Sequence, residues 1–375
     1  MAGIYLHFPF CKSKCAYCNF YSVVEEQTRH DFLSAIRNEI EMRKDYLEGE
    51  PVSTIYLGGG TPSLFKAIEI QEIISSLHKH FNIIPEPEFT IEANPDTVSM
   101  QSLDEYRAIG INRVSIGIQS FFDDDLMYLS RKHDSRHAIS ILKNINEIGF
   151  KEVTLDLIYG IPTLTDEKWI TNLETAFASC ANHLSAYALT IEEKTALAKR
   201  IMDGKAAPVD DDTVVRQYFI LTEMARKNGF EHYEVSNFAR HGHHSRHNSS
   251  YWEGEKYLGL GPSAHSYNGS SRQWNIANTK AYNSLLLNKK ESFFEIEHLS
   301  PTDKYNEYVM TSLRTQKGCN TDNISNRFGE KSRRHFLKHI EPFITDSRLI
   351  INGSNYALSD EGMLFADGIA AGLFQ

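Results

Sequence analysis

Six short β-rich runs, at residues 4–7, 54–57, 89–92, 113–116, 153–158 and 184–189, alternate with longer stretches whose apolar residues recur at helical spacing, such as 32–46 and 68–81. Alternation of this kind stacks βα units around a parallel sheet. Where the runs end, glycine and polar residues collect, in Gly58-Gly59-Gly60-Thr61, Glu92-Ala93-Asn94-Pro95, Gly117-Ile118-Gln119-Ser120 and the DLIYGIP of residues 156–162. Loops that follow the strands build the active face of βα barrels, so these residues are expected on one face. Six units suit an open, partial (β/α)6 barrel. Periodicity alone allows a doubly wound sheet as well.

Cys11, Cys15 and Cys18, in FPFCKSKCAYCNF, come directly after the first run. Thiolates of a short loop ligate iron-sulfur cubes. Three of them leave one iron of a 4Fe-4S cluster open to the amino and carboxylate groups of S-adenosylmethionine. The competing reading is a zinc knuckle completed by His7, since zinc closes its structural sites with four ligands. Disulfides fit worse, because Cys180 and Cys319 are isolated and the total of five cysteines is odd. An exposed cluster suits a reducing compartment. With no basic n-region and no apolar stretch of bilayer length, a cytoplasmic protein is expected. The net charge of −10 argues against phosphate-driven nucleic-acid binding.

Other residues stand out one by one. Three glycines at 58–60 remove every Cβ that would hold the backbone away from a ligand, although such a run is also what a tight turn needs. Glu92 is an acceptor at a strand end. Asp156 lies among Leu155, Leu157 and Ile158, where an unpaired charge is costly, so it either is paired or faces the barrel mouth. Gln119 and Arg131 are further polar candidates, and Arg131 by itself reads as a surface charge.

Residues 240–252, RHGHHSRHNSSYW, carry four histidines with arginines and aromatics. They could ligate a metal, grip carboxylates and stack on a flat ring. Haem offers all three partners; the competing reading is a solvated polar loop. After a helix over 210–229 and a β-rich piece at 231–238, the boundaries expected are a barrel over 1–240, a connecting segment over 241–280 and a C-terminal domain over 281–375. That last part reads as helices 302–314, 320–328 and 331–340 followed by a hairpin, a winged-helix-like pattern. Its basic run of Arg327, Lys331, Arg333, Arg334 and Lys338 reads as a solvated face rather than a nucleic-acid surface.

Taken together, C-x3-C-x2-C, GGGTP, Glu92 in EANP, GIQS, Arg131 and DLIYGIP resemble, in this order and over essentially the whole chain, the oxygen-independent coproporphyrinogen III oxidase family of radical S-adenosylmethionine proteins. The resemblance implies that Tyr5, Gly59, Gly60, Thr61, Glu92, Gln119, Arg131 and Asp156 contact S-adenosylmethionine. Tyr17 is the aromatic residue that such proteins have before the third cysteine. The oxidases carry a further cysteine where Phe20 stands here, and an N-terminal extension before the motif. Both differences argue against oxidative decarboxylation of coproporphyrinogen.

His247 to Trp252 match the H-N-x-x-Y-W of the family's haem chaperone branch. The match implies haem as bound cargo, His247 as its leading contact, and delivery to haem-requiring partners such as respiratory cytochromes. A reductant for the cluster is implied too, and a transient visit to a membrane stays open. The alternative is an oxygen-independent coproporphyrinogen III oxidase or another radical S-adenosylmethionine enzyme.

Overall fold

Alternation along each of six parallel strands sets the architecture. In the computed structural model, which describes residues 1–25, 27–290 and 292–375, these strands are β1 (Ala2–Phe8), β2 (Val52–Gly59), β3 (Ile83–Ala93), β4 (Arg113–Gln119), β5 (Glu152–Tyr159) and β6 (His183–Ala188). They pair in chain order. Ile4, Leu6, Ile55, Leu57, Ile116 and Leu155 are buried on one face, each burial stabilising the fold by roughly 1.5–3 kcal/mol. The positions between them, Tyr5, Tyr56, Glu92, Ser115 and Asp156, bear polar groups and meet on the other face. All six expected strands are present.

The helices between them carry their own start and stop signals. Ala67–His80 opens on a capping box with Glu69 and has Lys79 in its last turn, charges that suit the two ends of the helix dipole. Ser135–Ile148 opens on the Asp134 side chain and ends at Gly149 in the left-handed conformation.

The sheet is larger than the sequence suggests. On one edge, β7 (Phe230–Glu234) and β8 (Asn237–Arg240) add antiparallel to β6. On the other, β9 (Tyr257–Leu260) runs parallel to β1, and β10 (His265–Tyr267), β11 (Ser271–Asn275) and β12 (Phe294–His298) follow antiparallel. The twelve strands form one sheet. Buried Glu39, on the helix Arg29–Met42, locks this second edge in place. It accepts hydrogen bonds from Gly261 N at 2.8 Å, Asn275 Nδ2 at 2.7 Å and the Tyr282 hydroxyl.

Two expectations change as a result. Residues 241–280 are not a mere connection, and the sheet continues through His298, past the boundary expected at 281. The strands concerned are three to five residues long, too short for a period of two to show. The histidine-rich run is also not a loop throughout, since Arg246–Trp252 is a helix capped by the Ser245 side chain.

Beyond the sheet lie the helices Pro301–Leu313, Thr321–Phe328 and Glu330–Thr345. A small sheet of β13 (Cys319–Asn320), β14 (Leu349–Asn352) and β15 (Asn355–Leu358) accompanies them, in the order β13-β15-β14. This is the winged-helix-like arrangement expected. Among the described residues, no helix is long and apolar enough to cross a membrane.

Candidate cofactor site and adjoining cavity

The cysteine loop leaves the end of β1 and is pinned at both ends. Cys11 N donates to Val23 O at 2.9 Å and Val23 N to Pro9 O at 2.6 Å. Farther along, Ala16 N donates to Leu129 O at 3.1 Å. Arg131 Nη1 points at Cys15 Sγ from 3.4 Å, and the Thr61 hydroxyl at Cys11 Sγ from 3.7 Å. Burial, with lesser contributions from the neighbouring cysteines, pushes the Cys11 and Cys18 thiols up.

These residues fit an iron-sulfur cluster better than zinc. Both ring nitrogens of His7 are taken, by the Tyr5 hydroxyl at 3.1 Å and Tyr21 O at 2.9 Å. His7 is therefore not placed as a fourth ligand. Among the described residues no three His, Cys, Asp or Glu side chains gather as they would around a single ion, whereas a four-iron cube takes each thiolate at a separate corner. Arg131 Nε is buried with no partner, an unused donor beside the thiols.

The residues expected to hold S-adenosylmethionine come together next to this loop. Gly59 has φ +108°, and a Cβ there would lie 2.5 Å from His7; one on Gly60 would lie 2.7 Å from Phe10 O. These glycines let the end of β2 press against the start of the cysteine loop. Glu92 accepts from Gly59 N at 3.1 Å and from the Tyr56 hydroxyl at 2.8 Å. Asp156 accepts from the Ser115 hydroxyl at 3.2 Å. Burial raises both carboxyls to about 7, so each is poised between donor and acceptor near neutrality.

Arg131 is no surface charge. Its Nη2 reaches Asn94 Oδ1 and Gly117 O, at 2.5 and 2.7 Å, and so ties the cysteine loop to the ends of β3 and β4. Gln119 adopts φ +69° while buried, backbone strain of the kind that accumulates at binding sites. Its amide lies where a Cβ on Gly117 would be, beside Asn94 and Arg131. Tyr17 is close enough to Cys15, Cys18, Arg131 and Asp156 to feel their charges. When bound, the cluster and S-adenosylmethionine supply one-electron chemistry.

His247 lies elsewhere, at the opposite, N-terminal ends of the strands. Its Nδ1 pairs with the Thr54 hydroxyl at 2.8 Å and its Nε2 with the Tyr251 hydroxyl at 2.9 Å, and its ring stacks on Tyr56 at 5.0 Å. It is 1% exposed. Both ring nitrogens are thus engaged in this conformation. The other three histidines of the run pair with carboxylates: His241 and His244 with Glu231, and His243 with Glu152. Glu88 and Arg113, which sequence reasoning missed, anchor the run from below. Arg113 donates to Glu88, to Glu152 and to His243 O. Within the run, Ser245 and His247 are buried at the base of the barrel, His241 stays exposed, and His244, Tyr251 and Trp252 turn toward a cavity.

A cavity of about 880 Å³ opens between β1, the second edge of the sheet and the C-terminal helices, within the range of ligand pockets. Tyr5, His7, Phe20 and Tyr21 give it a wall on the cofactor side. Tyr251, Tyr257, Tyr267 and Tyr308 make it aromatic, Lys304 and Arg327 bring positive charge, and Arg272 pairs with Glu307 at 2.7 Å on the same wall. Arg327, expected on a solvated basic face, is exposed and also lies over the rings of Tyr308 and Phe328 at 5.0 and 5.1 Å. Phe20, which stands where the oxidases have a cysteine, is 67% exposed and lines this cavity. The sequence signal for the far wall was the aromatic and basic content of HSYNGSSRQWN, which strand patterning alone did not single out.

Residues 5–176 match the radical SAM superfamily, and residues 299–365 match the HemN C-terminal domain. The heme chaperone HemW of Mycobacterium tuberculosis (strain H37Rv) is 34% identical over 98% of this chain and 93% of its own length. That of Bacillus subtilis (strain 168) is 30% identical over 88% and 87%. The solved coproporphyrinogen III oxidase (HemN) from Escherichia coli superposes with a TM-score of 0.87, covering 100% of this chain and 90% of that one at 23% identity, which shows a common fold. With two-domain matches and near full-length relatives agreeing, the chain belongs to the haem chaperone HemW family of the radical S-adenosylmethionine superfamily.

Proposed function

We propose that this protein binds haem in the cavity beside the cysteine loop and passes it to haem-requiring proteins such as respiratory cytochromes. The observation that carries the reading is the cavity itself. Its tyrosines suit a flat aromatic macrocycle, Lys304 and Arg327 suit two propionates, and one wall is shared with the cofactor site. Cys11, Cys15 and Cys18 hold a 4Fe-4S cluster. Tyr5, Tyr17, Gly59, Gly60, Thr61, Glu92, Gln119, Arg131 and Asp156 surround S-adenosylmethionine. A cellular reductant serves the cluster, and the setting is the reducing cytoplasm.

Phe20 at the cavity wall supports carriage over porphyrinogen oxidation, because it presents an inert ring where the oxidases have a thiol. The test is transfer. Protein with a reconstituted cluster is loaded with haem, freed of excess and mixed anaerobically with a respiratory apocytochrome. Appearance of the holocytochrome spectrum supports the reading. Conversion of coproporphyrinogen III in the presence of S-adenosylmethionine and reductant, without transfer of haem, overturns it in favour of the oxidase.

A further inference from the structure

Three histidines line the cavity: His7, His244 and His265. His7 has both nitrogens hydrogen-bonded, and His244 is held by Glu231 at 2.9 Å with its ring stacked on Tyr233 at 4.2 Å. His265 differs from both. It is exposed to the cavity and, among the described residues, neither ring nitrogen has a hydrogen-bond partner. No cysteine or methionine lines the same space.

The backbone holds this side chain in place. His265 opens β10 and sits opposite Trp274 of β11, with ring centroids 6.3 Å apart. Its carbonyl packs so closely on β9 that a Cβ on Gly259 would lie 2.0 Å from the oxygen. Ser263, two residues earlier, takes φ +65° to make the turn. A fixed strand position is a better mount for a ligand than a mobile loop. Positive charge stands at hand in Lys304 and Arg327 on the C-terminal helices, while Arg272, on the neighbouring strand, is paired with Glu307 at 2.7 Å.

We propose that His265 is the axial ligand that this cavity offers to the iron of haem. The inference rests on the reading of the cavity as the haem site and names the atom donor within it. Iron accepts the lone pair of a neutral imidazole. Burial, with Arg272 nearby, holds the His265 pKa below its ordinary value, so the ring is neutral at pH 7. His247, at the base of the barrel, positions the helix that carries Tyr251 and Trp252 to the cavity wall.

The test compares iron with no iron. Full-length protein with its cluster reconstituted is titrated anaerobically with ferric haem and, separately, with protoporphyrin IX, as wild type and as His265→Ala. Haem affinity is expected to fall about tenfold or more in the variant, protoporphyrin affinity to stay the same, and the visible spectrum of imidazole-ligated haem to vanish and return on adding free imidazole. Cluster iron content and circular dichroism report on folding. Unchanged haem affinity and spectrum in the variant overturn the assignment while leaving haem binding intact. Equal losses for haem and protoporphyrin overturn it as well, making His265 a wall rather than a ligand. Failure of the wild type to saturate with haem removes the underlying reading together with the inference.

Discussion

Glu88 on β3 accepts the main-chain N–H of His247 at 2.9 Å, joining positions 159 residues apart, and the N–H of Arg246 at 3.0 Å. The same carboxylate faces Arg113 Nε at 3.2 Å. The start of the H-N-x-x-Y-W helix is thus held by a buried acid that also neutralises a buried arginine.

Removing that acid leaves Arg113, 2% exposed, with only Glu152 as a countercharge and leaves two N–H groups without an acceptor. Glu88→Ala is expected to lower the unfolding free energy by about 3–5 kcal/mol, measured by urea denaturation of the cluster-free chain. A loss below about 1 kcal/mol, the worth of a surface pair, would show that the base of the barrel is held by something else.

Replacing Cys11, Cys15 or Cys18 with serine is expected to abolish the iron-sulfur absorbance at about 400 nm, with iron analysis as the second readout. Asp156→Asn should keep the cluster and weaken S-adenosylmethionine binding about tenfold, the worth of one hydrogen bond to a charged group, as followed by equilibrium dialysis. Loss of the cluster itself in that variant would assign Asp156 to folding.

Burial lowers the His247 pKa from 6.5 to about 3. A histidine depressed in the folded state contributes stability that is complete above its unfolded pKa and is lost as pH falls toward the folded value. Between pH 6 and pH 4 its share falls by about 1.4 kcal/mol per pH unit at most. Glu92, Asp156 and Glu234, raised to about 7 by burial, act oppositely and favour the fold at lower pH. The difference between wild type and His247→Asn isolates the histidine. Urea midpoints should fall more steeply toward pH 4 in the wild type, and parallel curves would show that His247 does not stay neutral in the fold.

The parallel half of the sheet was legible because each of its strands is a continuous β-rich run closed by glycine or polar residues. The cofactor side of the site was legible for the same reason, since strand ends gather in space what they separate in sequence. Arg131 was not legible from physics alone. Its burial comes from Cys15, Asn94 and Gly117, each on a different segment, and only the family resemblance raised it above a surface charge.

The second edge of the sheet was hidden for a physical reason. The strand Tyr257–Leu260 is only four residues long, and its partner β1 lies over 200 residues earlier in the chain. The burial of His247 was not legible because a motif reports which residues recur together and not which way they face. The same alphabet of histidine, tyrosine and tryptophan serves a buried plug as well as a ligand site. Arg327 and His265 went unnoticed as partners because the cavity they share is closed only when the C-terminal helices pack on the sheet.

The most direct measurement is an anaerobic haem titration of the cluster-reconstituted protein, following the Soret band for wild type and for Arg327→Glu. Arg327 lies on the C-terminal unit, remote from the cysteines in sequence, and reversing its charge opposes a propionate without touching the cluster. Saturation at one haem per chain, with affinity about tenfold weaker in the variant, is the result predicted. Unsaturable binding, or equal affinity in the two proteins, would contradict haem carriage in this cavity.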